Sequence, residues 1–135
     1  MAKIGDLVKP INNEEEWDQM IETSENILML LDCHQNWCGP CESMKPTFQR
    51  IFMDYDDSDK RIHFKSVDLE IFKEKVAGML PEDSGINLDT QGCMPFFILV
   101  RFKSTCSVIN GCNAPQLLQA VEVNIPEAPK DEEEA

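Results

Sequence analysis

The chain has 135 residues with 25 Asp and Glu against 12 Lys and Arg, a formal net charge of −13, and so acidic a balance argues against nucleic acid and anionic membrane surfaces as partners. Its length suits one domain with a core of its own, and no apolar run approaches the roughly 20 residues that span a bilayer. Met1 to Pro10 lacks a charged-then-apolar leader, so a cytoplasmic protein is expected, with most of its six cysteines reduced.

In chain order, Ile4 to Val8 is expected to form a first strand. Asn12 or Asn13 can cap a helix with acids in its first turn and an apolar stripe at Trp17, Met20 and Ile21. The unbroken apolar run Ile27 to Leu31 suits a central strand covered on both faces. Met44, Phe48, Ile51, Phe52 and Tyr55 then recur at helical spacing, with Pro46 inside that helix and expected to bend it. Ile62 to Val67 reads as a strand, and Phe72, Val76 and Met79 as one face of a helix. After Pro95, Phe96 to Val100 is a buried strand, with Val108-Ile109 as its hairpin partner across Lys103-Ser104-Thr105. Gly111 breaks that strand, and Asn113-Ala114-Pro115 starts a last helix with Leu117, Leu118 and Val121 inward. Alternation of this kind implies an α/β fold, a central mixed sheet with helices on both faces. Residues 1–125 form the domain, and the run Asp131-Glu132-Glu133-Glu134, after Pro126 and Pro129, makes 126–135 an acidic disordered tail.

The chemistry centres on Trp37-Cys38-Gly39-Pro40-Cys41. A Cys-x-x-Cys pair that enters a helix from a buried strand holds one sulfur near the helix start, where unpaired N–H groups and the macrodipole favour a thiolate. Reversible dithiol–disulfide exchange follows. The same spacing can be half of a zinc knuckle, but Cys33, His34, Cys93, Cys106 and Cys112 offer no matching second pair. No metal or other cofactor is expected. A purely structural disulfide fits poorly too, because so short a loop removes little unfolded-chain entropy.

These features resemble the thioredoxin family from about Ile11 to Val123. Trp37 to Cys41 is the thioredoxin signature unaltered. Pro46 matches the proline of the active-site helix, Met94-Pro95 the cis-proline site, Gly111 the glycine after the last strand, and Asp32 the buried acid. The resemblance implies that Cys38 attacks a substrate disulfide, Cys41 resolves the mixed disulfide, and the two end as a Cys38–Cys41 disulfide. It makes Asp32 the proton relay to Cys41 and Pro95 the cis residue facing the sulfurs. Trp37, Gly39, Pro40, Met94, Gly111 and Cys112 would border the bound substrate.

Some positions depart from the pattern. Glu42 stands where many members carry a basic residue. Lys65 and Ser66 both lie near the position at which some members place a lysine beside the buried acid, and the register between them is open. The segment from Val76 to Gly92 is about ten residues longer than a compact member needs, and segments of that length usually carry a task or are mobile. Cys93 and Cys112 are expected on the rim around Cys38, Cys33 in the core, and Cys106 in the hairpin.

Gly111-Cys112-Asn113-Ala114-Pro115 and the following Gln116-Leu117-Leu118-Gln119 are similar to the corresponding segment of thioredoxin-like modules in axonemal outer-arm dynein light chains and in thioredoxin–nucleoside diphosphate kinase proteins. That likeness implies a redox-sensing light chain on a dynein heavy chain in a cilium or flagellum. The alternatives are a free cytosolic thioredoxin, which reduces many protein disulfides and is recycled by thioredoxin reductase, and a redox-silent docking module.

Overall fold

The structure, a computed structural model, describes residues 7–35, 44–89 and 95–127. Strands β1 (Val8–Pro10), β2 (Leu28–His34), β3 (Ile62–Asp68), β4 (Phe96–Arg101) and β5 (Ser104–Asn110) alternate with helices α1 (Glu14–Thr23), α2 (Lys45–Asp54), α3 (Leu69–Met79) and α4 (Ala114–Asn124). The sheet order is β1-β3-β2-β4-β5. β3 runs parallel to both β1 and β2, while β4 is antiparallel to β2 and to β5. The mixed α/β sheet expected from the sequence is what forms.

The two faces of β2 explain its uninterrupted apolar run. Met29, Leu31 and Cys33 pack with Trp17 and Met20 of α1 and Phe72 and Val76 of α3. Leu28 and Leu30 pack with Phe48 and Ile51 of α2 and Leu117 and Val121 of α4. Strand alternation sends each set to its own layer. Trp17 stacks on Phe72 at 5.3 Å between ring centres, and Phe48 lies against Phe64 at 5.4 Å and edge-on to Phe97 at 5.8 Å.

Helix starts follow local chemistry. Asn13 accepts a hydrogen bond from the Glu16 amide at 2.9 Å, Asp68 from Glu70 at 2.9 Å and Asn113 from Gln116 at 3.1 Å, each satisfying an N–H that the first turn leaves unpaired. The described part of α2 begins at Lys45, so Pro46 stands in its first turn, where proline costs no hydrogen bond. A bend there would involve residues outside the described ones. Tyr55 lies just past the helix as its C-cap.

Two elements differ from the sequence reading. Among the described residues the first strand is Val8–Pro10, reaching past Val8, where the sequence reading ended it, while Ile4 to Asp6 of that reading lie outside the described residues; its three residues are held by pairing with Phe64, Lys65 and Ser66 of β3. The β4–β5 turn is Phe102-Lys103, not Lys103-Ser104-Thr105. Both turn residues have positive φ, 56° and 64°, the geometry of a two-residue hairpin loop whose twist matches the strands. Non-glycine residues pay roughly 1–2 kcal/mol each for that backbone. Docking on the end of α1 offsets it: Phe102 N donates to Ser24 O at 2.8 Å and Lys103 N to Ser24 Oγ at 2.9 Å, and Arg101 donates to Glu25 O at 2.5 Å.

Ser24 is fully buried. Ser24→Ala leaves the Lys103 N–H without its acceptor, and urea unfolding is expected to show a loss of about 1–2 kcal/mol; an unchanged midpoint would show that the turn does not depend on this contact.

Candidate functional site

Trp37, Cys38, Gly39, Pro40, Cys41 and Met94 lie outside the described residues, as does Cys93. The frame around them is described. β2 ends at His34 and α2 begins at Lys45, so the Cys-x-x-Cys segment joins the carboxyl end of the central strand to that helix. This end of an open α/β sheet is where ligands characteristically meet the fold.

Asp32 sits two residues before the end of β2 and is 1% exposed. Its register partners are Ser66 on β3 and Phe97 on β4, so its carboxyl lies on the sheet face covered by α2 and α4. The question of register at 65 and 66 is thereby answered. Ser66, itself buried, stands beside Asp32, whereas Lys65 pairs with Leu31 and points to the other face. Sequence reading left Lys65 and Ser66 open and missed Phe97 as a neighbour of the acid; only strand pairing decides the first and reveals the second.

Pro95 and Gly111 come together. Gly111 N donates to Pro95 O at 2.8 Å, next to the Phe96–Asn110 register pair that closes the β4–β5 ladder. Gly111 has φ +86°, and nothing lies within 4 Å of where a Cβ would stand. Its backbone, not crowding, is what calls for glycine. Cys112 follows it, exposed, just before the Asn113 cap. Asp32, Pro95, Gly111 and Cys112 thus gather at the sheet end from which the Cys-x-x-Cys segment departs. The isomer of the Met94–Pro95 bond falls outside the described residues.

Two other thiols are held above the ordinary thiol pKa. Cys33 is buried on the face opposite Asp32, and burial, with Asp32 as a second cause, pushes its pKa well above the ordinary thiol value. Cys106 is the extra residue of a bulge, since Leu99 pairs with Ser107 and Val100 with Thr105. Its S–H donates to Leu99 O at 3.3 Å, and partial burial of the sulfur raises its pKa.

The long segment after α3 is described as far as Asp89. Ser84 N donates to Pro81 O at 3.1 Å, Leu80, Ile86 and Leu88 pack on the α1/α3 layer, and Asp89 pairs with Lys73. Among the described residues, no group of three potential ligands is placed to hold a metal ion, and no helix is long and apolar enough to cross a membrane.

Comparison with known proteins agrees with this frame. The thioredoxin family model matches residues 8–122, and the chain belongs to the thioredoxin family. It is 26% identical over 116 residues to the flagellar outer-arm dynein 14 kDa light chain of Chlamydomonas reinhardtii, covering 85% of this chain and 79% of that one. It is 24% identical over 117 residues to thioredoxin-T of Drosophila melanogaster, covering 86% and 66%. Thioredoxin NaTrxh of Nicotiana alata superposes with a TM-score of 0.62 over 89% of this chain and 94% of that one, at 18% identity.

Because Cys33 is sealed in the core and held protonated, iodoacetamide at neutral pH is expected to leave it unmodified in the native chain and to modify it only after unfolding. Peptide mapping that found Cys33 labelled in the folded protein would contradict the placement.

Proposed function

We propose that the protein is a thioredoxin-type dithiol–disulfide exchange catalyst. One observation carries the reading: an unaltered Trp-Cys-Gly-Pro-Cys sequence stands in the segment between β2, a buried central strand that carries the buried acid Asp32, and helix α2. The Cys38 thiolate attacks one sulfur of a substrate disulfide, forming a Cys38–substrate mixed disulfide and releasing the other substrate sulfur as a thiolate. Cys41 then loses its proton and attacks the Cys38 sulfur. The substrate leaves with two thiols, and two electrons have passed from the Cys38–Cys41 pair, which ends as a disulfide. Asp32, at the floor of this end of the sheet, would take the Cys41 proton. Pro95 and Gly111, joined by their hydrogen bond, would form the ledge against which the substrate backbone lies, with Trp37, Gly39, Pro40, Met94 and Cys112 around it.

The likeness to a flagellar outer-arm dynein light chain, together with the Gly111 to Pro115 segment, supports a light-chain role in which this chemistry reports thiol state on a dynein heavy chain in the axoneme. A free cytosolic thioredoxin recycled by thioredoxin reductase would use the same residues, and likeness to thioredoxin-T supports that second reading. Native size in extracts of ciliated cells separates them: migration with a large motor complex is expected, and a small free species alone would remove the light-chain role.

For the chemistry itself, insulin disulfide reduction is expected to vanish in Cys38→Ser. Cys41→Ser should accumulate the mixed disulfide, and Asp32→Asn should slow its resolution by roughly a hundredfold. Reduction that survives Cys38→Ser would overturn the proposal.

A further inference from the structure

The end of β2, the first turns of α3 and the long segment after α3 border a cleft that the exchange chemistry leaves unused. It measures about 420 Å³ and is lined by Gln35, Leu69, Glu70, Lys73 and Leu88, the size of a small ligand site. Gln35 follows β2 and Leu69 opens α3 directly after β3, so the cleft lies at the carboxyl end of the sheet. Cys38 follows Gln35 by three residues, a chain contour of at most about 11 Å.

The long segment is fastened to α3 at this point. Leu88 packs on the α1/α3 layer, Asn87 Oδ1 accepts from the Asp89 amide at 2.9 Å, and the Asp89 carboxylate pairs with the Lys73 ammonium. That pair leaves the charges of the cleft unequal. Lys73 is answered by Asp89, whose carboxyl it holds below the usual carboxylate range, whereas Glu70 forms no ion pair among the described residues. Capping of α3 does not occupy the Glu70 carboxylate either, because Asp68 accepts from the backbone amide of Glu70. Two leucines and one uncompensated carboxylate suit a side chain with an aliphatic stem and a cationic head.

We propose, on the footing of the exchange chemistry above, that this cleft is a substrate subsite and receives a lysine or arginine side chain about three residues from the half-cystine under attack. The stem lies along Leu69 and Leu88, and the head pairs with Glu70 in a charge-assisted hydrogen bond. Three extended residues span about 10 Å, which matches the chain contour between Gln35 and Cys38. The net charge of −13 draws basic segments toward the protein, and the cleft selects where along such a segment the disulfide must lie.

Single-turnover reduction of peptide disulfides by the pre-reduced full chain tests this. Each substrate is a disulfide-linked homodimer of a one-cysteine peptide, so that attack at either sulfur is equivalent. Arginines stand about three residues to either side of the cysteine in one peptide and about eight in the other, with composition and charge held equal. Rates are normalised to those with dithiothreitol, which registers the intrinsic reactivity of each disulfide. The near-arginine peptide is expected to react roughly three- to fivefold faster, the scale of an exposed ion pair. Glu70→Gln should remove that difference without slowing the far-arginine peptide, while Asp56→Asn, the same charge change on the turn between α2 and β3, should keep it. Equal normalised rates in the wild type, or a difference that persists in Glu70→Gln, would overturn the subsite and leave the exchange chemistry standing. Reduction of neither peptide would overturn the exchange chemistry itself, and the subsite with it.

Discussion

The fold depends on the burial of one strand between two unlike neighbours. β2 is sealed on both faces from Leu28 to Cys33, with β3 parallel on one side and β4 antiparallel on the other. The carboxyl ends of β2 and β3 and the start of β4 must therefore meet at one end of the sheet. Every described residue proposed for the site lies at that end because of this arrangement. Asp32 is near the end of β2, Pro95 precedes β4, and Gly111 follows β5 and is tied to Pro95 through its amide.

Alternation along β2 also sends two consecutive ionisable side chains to opposite layers. Asp32 faces the α2/α4 layer. Cys33 faces the α1/α3 layer, where burial holds its proton. A one-residue slip of the strand would exchange their environments, so the apolar pattern that fixes the register of β2 also fixes which of the two faces α2.

Much of this was legible in the sequence where the determining contacts are local. Asn13 and Asn113 cap helices by accepting from the amides three residues on, and the runs at Leu28 and Phe96 announce strands buried on both sides. The extension of the first strand over Lys9 and Pro10 was not legible, because pairing with β3, not an apolar pattern, makes these edge residues a strand. The hairpin turn was misplaced because its left-handed residues are supported by Ser24, 79 positions from Lys103. The choice between Lys65 and Ser66 as neighbour of Asp32 needed the register between two strands, which composition and spacing do not encode. The thioredoxin signature itself was the clearest feature of the sequence, and the chemistry proposed for it rests on the frame that the described residues build around it.

The central claim is that the strand-to-helix junction makes one sulfur acidic. It is tested most directly by the pH dependence of Cys38 alkylation in the reduced protein, followed by mass mapping. A midpoint near 7, a value carried over from thioredoxin itself, is what the account predicts. A midpoint near 8.5, that of an ordinary exposed thiol, would contradict it.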